Sequence, residues 1–183
     1  MFTIGDKVAY PMHGAGVIEG IEEQTILGEP RSYYILRLSH SDMKVMVPVE
    51  TSGKVGVRYI VEPETLTEVT QILQSESTPM SDNWNKRNRD NMEKLKTGDL
   101  REIAEVVRNL LRADSRKKLS TGEKKMLSNA KQLLMSEIVL AKGVSADSAD
   151  KFIEDPIMNG VVRQKIPIFI QAADCLNRQL VIL

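Results

Sequence analysis

Hydrophobic and polar positions change their period once along this 183-residue chain, close to residue 62. Before that point, residues 7–10, 16–21, 32–38 and 43–48 are short runs rich in β-branched and aromatic side chains, several alternating apolar with polar. Turn-forming clusters at 11–16, 27–30 and 39–42 separate them. A period of two broken at such intervals predicts four or five short strands forming a small, strongly bent barrel or half-barrel over residues 1–62.

From Pro63 the period becomes helical. Pro63-Glu64 opens a helix carrying Leu66, Val69, Ile72 and Leu73, with proline at a tolerated first-turn position. Residues 74–80 read as a loop, and residues 83–95 as a short polar helix ended by Thr97-Gly98. Asp99, with Glu102 three residues on, caps a helix whose Ile103, Val106, Val107, Leu110 and Leu111 make one buried face. Ser120-Thr121-Gly122-Glu123 is a capping box opening a long helix through Leu127, Ala130, Leu134 and Ile138, with Gly143 as its stop. Residues 145–153 predict one last short helix before Asp155-Pro156. The chain is therefore expected to be α+β, with an all-α domain over 63–155 and an unassigned tail over 156–183.

Composition narrows the class without choosing a function. Apolar residues make up 42% and charged residues 27% of the chain, the balance of a soluble globular protein, and no stretch predicts a membrane span or a signal peptide. Cys175 is the only cysteine, so no intramolecular disulfide is possible, which suits a cytoplasmic location. Net charge is zero, which excludes coating nucleic acid by bulk charge but leaves room for a local basic patch.

Catalytic patterns are missing. His13 and His40 lie in predicted turns without ligand partners at metal spacing, and no histidine accompanies Cys175. Gly14-Ala15-Gly16 sits between strands and is a turn, not a dinucleotide loop. The stretch 120–125 lacks the Gly-Lys-Ser/Thr ending of a P-loop. No enzyme, cofactor, metal or small-molecule substrate is expected.

What remains is Trp84, the only tryptophan, in one of the most polar stretches of the chain. With Ser81 or Asp82 as helix cap, its i+3 and i+4 neighbours are Arg87 and Asn88, which offer it no apolar wall. Lys86, Arg87 and Arg89 share its helix, Arg112, Arg116, Lys117 and Lys118 end the next, and Lys124 and Lys125 stand in the first turns of the third. Solvated faces and helix C-terminal cations account for most such runs, but Lys124 and Lys125 oppose the dipole of their own helix. A local rule broken without visible compensation points to function, here a phosphate-gripping patch with an aromatic at its edge.

The same residues carry a resemblance. The opening stretch 4–16 (Ile-Gly-Asp-Lys-Val-Ala-Tyr-Pro-Met-His-Gly-Ala-Gly), Asn83-Trp84-Asn85-Lys86-Arg87, Gly98-Asp99, residues 104–110 and residues 119–127 are similar to the CarD/CdnL family of bacterial transcription regulators, over roughly residues 1–153. The resemblance implies a Tudor-like N-terminal module that binds the RNA polymerase β subunit. It also implies a helical domain at the upstream edge of melted promoter DNA. In the family the tryptophan matching Trp84 wedges into the minor groove, and residues matching Lys86, Arg89 and Lys124 touch the backbone. Partial unstacking costs a few kcal/mol, less where DNA is already distorted, so such a wedge favours the open promoter. The chain departs from the family where some members have arginines, at Gln24 and Met46. Polymerase contact is therefore expected to rest on apolar residues and the edge strand 43–47, including Met43 and Lys44. The protein is expected to act as a monomer, associated with the nucleoid through polymerase. The rival expectation is a protein–protein adaptor with Trp84 as its interface anchor.

Overall fold

The computed structural model of the protein describes residues 1–26, 29–41 and 43–165. Strands β1 (Lys7–Tyr10), β2 (Gly14–Ile26), β3 (Glu29–Leu38), β4 (Lys44–Pro48) and β5 (Arg58–Tyr59) form one antiparallel sheet in the order β4-β3-β2-β1-β5. β4 and β5 are its open edges. The register of β2 on β3 slips between Ile18 and Gly20, a bulge that bends the sheet as a Tudor-like module requires. Only glycine fits at Gly16, where a Cβ would stand 2.2 Å from the Arg37 carbonyl oxygen on β3. The central hairpin is longer than the sequence pattern predicts, because its outer half is polar on both faces. β5 is too short to show any alternation.

Alternation along β3 sorts the faces of the sheet. Tyr34, Leu36 and Leu38 pack with Val8, Ile18, Val47 and Val57 into a small core. Cross-strand partners share a face, so the pairs Gln24–Arg31, Ile35–Met46 and Arg37–Lys44 lie on the opposite one.

The second half holds α1 (Pro63–Gln74), α2 (Trp84–Thr97), α3 (Leu100–Arg116), α4 (Thr121–Lys142) and α5 (Ala146–Lys165). Their core joins Leu66, Val69 and Leu73 of α1 to Val106, Val107 and Leu110 of α3, Leu134 and Ile138 of α4, and Ile153 and Ile157 of α5. The last helix corrects the sequence expectation, since it runs through Pro156 instead of ending before it. An internal proline costs about 3 kcal/mol. Ile157, one turn past Ile153 and fully buried, returns roughly 2–3 kcal/mol by its burial.

α4 also joins the two halves. The Ala15 amide donates to Ser136 Oγ at 2.9 Å, and Ser39 Oγ donates to the Ser136 carbonyl at 3.0 Å. Glu137, 3% exposed, accepts from Arg58 at 2.6 and 3.1 Å and from the Val61 amide at 2.8 Å. Arg58 also donates to the Gly98 carbonyl just before α3, so the sheet is tied to the helices at several points.

Candidate nucleic-acid interface

Trp84 is the first residue of α2. The cap is Asn83, not Ser81 or Asp82, and its side-chain oxygen accepts from the Lys86 amide at 3.2 Å. α4 opens on the capping box that the sequence predicts: Glu123 N–H donates to Ser120 Oγ at 3.3 Å, and Ser120 N–H donates to Glu123 Oε2 at 3.1 Å. These two helix starts meet. The Trp84 indole Nε1 donates to Ser120 Oγ at 3.2 Å, and a Cβ on Gly122 would stand 3.4 Å from Trp84 Cζ2. The ring thus lies within packing distance of the first turn of α4. The indole remains 44% exposed, held along one side and open on the other.

Arg87 has a different place from its neighbours. Its Nε donates to Glu123 Oε1 at 2.9 Å, its Nη2 lies 2.7 Å from the same oxygen, and its Nη1 donates to the Ser81 carbonyl at 2.7 Å. Side-chain exposure is only 20% for Arg87 and 9% for Glu123. Burial alone would raise the Glu123 pKa, but hydrogen bonds from Ser120 and Arg87 outweigh it and hold the carboxyl below its ordinary range. Arg87 therefore braces α2 against α4, and its guanidinium does not lie on the open surface. Arg112, grouped with the basic run in the sequence, is likewise internal. It is 2% exposed and donates to the carbonyls of Leu73, Gln74 and Ser75 at the end of α1. Nothing in the one-dimensional pattern separates these two arginines from exposed ones. The acceptors that claim them, the Glu123 carboxylate and the last carbonyls of α1, come from other elements.

Lys86, Arg89, Lys124 and Lys125 are exposed, and their side chains have no hydrogen-bond or ion-pair partner among the described residues. Lys86 lies in the first turn of α2 and Lys124 just after that of α4, where the helix dipoles are already positive. Two helix N-termini thus meet at the indole, and four unpartnered cations stand on the same two helices. This arrangement raises self-repulsion unless an anion neutralises it, and it suits phosphate groups.

The residues expected to meet polymerase lie in the other half. Gln24, Lys44 and Met46 share the outer face of the sheet by register, and Met43 is 61% exposed just before β4. They are not one cluster. Gln24 pairs with Arg31 and Met46 with Ile35, so about 13 Å of strand and the width of β3 separate them. Lys44 is engaged at 3.0 Å by Glu19, which also binds Arg37 at 2.8 Å. Arg31 and Arg37, on this same face, are cations that strand alternation could have revealed. The backbone of β4 is more distinctive. Leu38 N–H bonds to the Met43 carbonyl, so alternation turns the amides of Lys44 and Met46 away from β3 as an open edge.

Among the described residues no group of three or more His, Cys, Asp or Glu side chains could hold a metal, and no helix is long and apolar enough to cross a membrane. His13 stacks on Tyr10 with ring centroids 4.4 Å apart. Cys175 lies outside the described residues.

Comparison with known proteins accounts for both halves. Residues 2–61 match the CarD-like/TRCF RID domain, and residues 68–154 match the CarD C-terminal domain. The chain is 41% identical over 152 residues to "Putative transcription factor YdeB" of Bacillus subtilis (strain 168), covering 83% of this chain and 99% of that protein. The sheet and the helices around Trp84 are thus the two modules of one architecture, and the chain belongs to the CarD family, a family of transcription factors and not of enzymes.

Proposed function

We propose that this protein binds the β subunit of RNA polymerase through its sheet and stabilises the open promoter complex by inserting Trp84 into the minor groove at the upstream edge of the bubble. The observation that carries this reading is the half-exposed indole, fixed by Ser120 where two helix starts meet, with the exposed and unpartnered Lys86, Arg89, Lys124 and Lys125 on the same two helices. A wedge must be rigid to unstack bases and must have cations within reach of the flanking phosphates. Arg87 acts from behind, holding α2 on α4 so that the ring keeps its angle. The open edge of β4 offers backbone donors for strand addition by the polymerase. Tethering raises the local concentration of a DNA contact that is weak by itself. Unpaired cations at two helix N-termini favour DNA over a protein partner for the Trp84 surface.

Chemical footprinting of a polymerase–promoter complex, with and without the protein, tests this reading. It predicts added protection at the upstream bubble edge and greater reactivity of unpaired bases within the bubble. Identical footprints on a promoter whose transcription responds to the protein would overturn it.

A further inference from the structure

Beside the Trp84 surface lies a groove of about 730 Å³ between the loop before α2 and the turn joining α3 to α4. Ser120, which holds the indole, is part of its wall, so the groove begins where the Trp84 surface ends. Lys86, Arg89, Lys124 and Lys125 stand outside it. Lys117 and Lys118 line it and are exposed, with no side-chain partner among the described residues. On the acidic side, Glu123 is neutralised by Arg87, leaving Asp82 as the exposed carboxylate of the wall. Met80 and Leu119 add apolar surface. The walls are firm. Asn109 Oδ1 accepts from the Thr78 amide at 3.2 Å, and Arg87 holds the Ser81 carbonyl.

A cationic channel with apolar patches, leading from an exposed aromatic ring, has the parts of a single-strand site: charge follows the backbone and flat surfaces take the bases. Pockets of about 300–1,000 Å³ hold ligands of drug size, so this one has room for roughly two nucleotides and none for a double helix. We infer that the groove receives the backbone of one DNA strand as it leaves the duplex at Trp84, with Lys117 and Lys118 on its phosphates. The inference rests on the DNA-binding reading of Trp84 and adds a second site to it. Under it the protein holds the unpaired strand in addition to the minor groove.

The test is fluorescence anisotropy of the full chain with two labelled DNAs sharing one duplex, one blunt and one bearing single-stranded arms, at about 50 mM salt where phosphate contacts are strong. The wild type is expected to prefer the forked DNA. K117E/K118E should lower forked binding about tenfold and leave blunt binding unchanged, while K117Q/K118Q should reduce the salt slope on the fork by about 1.4. Both positions are exposed, and circular dichroism checks that the helices persist. Undiminished binding of the forked DNA by K117E/K118E would overturn the groove assignment and leave the Trp84 reading standing. Equal loss on both DNAs in K117E/K118E would do the same. Equal binding of fork and blunt duplex by the wild type would overturn both.

Discussion

The Trp84 indole N–H donates to Ser120 Oγ across 3.2 Å, and the same hydroxyl caps α4 and donates to Glu123 Oε2 at 2.7 Å. One serine hydroxyl, with one donor and two acceptor sites, is thereby fully used. The orientation of the indole and the start of α4, the longest helix among the described residues, depend on a single oxygen.

Ser120→Ala therefore removes a cap and releases the indole together. It is expected to cost about 1–2 kcal/mol of stability, and Ser120→Thr should retain most of it. Because Trp84 is the only tryptophan, emission excited selectively at tryptophan reports this site alone, and urea unfolding followed by that emission measures both effects. An unshifted emission spectrum in Ser120→Ala would mean that the hydroxyl does not hold the ring.

The Arg87–Glu123 brace carries a pH dependence. The folded-state pKa of Glu123 is depressed, so its contribution is fully present above the ordinary glutamate value of 4.5 and is lost as pH falls through the lower folded value. The Trp84 environment should loosen in that acid range before the sheet unfolds. Glu123→Gln should cost about 2 kcal/mol at neutral pH, less than for a wholly buried pair because Arg87 is partly exposed. It should also abolish the acid step in Trp84 fluorescence, and persistence of that step in the variant would assign it elsewhere.

Proline scanning of β4 separates folding from polymerase contact. The Met46 amide points away from β3 and the Val45 amide toward it, by the register that pairs Val45 with Leu36. Met46→Pro removes an outward donor and should leave thermal stability nearly unchanged while abolishing capture of the β subunit. Val45→Pro breaks the internal ladder and should destabilise the sheet by about 3 kcal/mol. Undiminished β-subunit binding by Met46→Pro would exclude strand addition at this edge.

The two halves should unfold as one unit as long as Glu137 is intact. Glu137→Ala leaves Arg58 and the Val61 amide without their buried acceptor and is expected to cost about 3 kcal/mol. It should also split the calorimetric transition. A single transition at the wild-type midpoint would show that the interface contributes little.

Much of this was legible in the sequence because it is periodic or local. The helical face Ile103-Val106-Val107-Leu110, the Ser120–Glu123 box and the αL stops at Gly98 and Gly143 are read from spacing alone and recur in the structure. The exceptions depend on partners distant in sequence. Arg87 and Arg112 look like any surface cation until Glu123 and the last carbonyls of α1 claim them. Pro156 looks like a terminator until Ile157 is seen in the core. β5 gains its strand identity solely from pairing with β1. The oddity of Trp84 was visible at once, whereas its support by Ser120 required the fold to bring residues 36 positions apart together.

The lifetime of the open complex is the most direct measure of the central claim. Polymerase and a responsive promoter are mixed with wild-type protein or Trp84→Ala, competitor is added, and the decay of open complexes is followed. The wild type should lengthen the lifetime several-fold, and Trp84→Ala should return it to the protein-free value while still binding the β subunit. A Trp84→Ala protein that prolongs the open complex as well as the wild type would contradict the account.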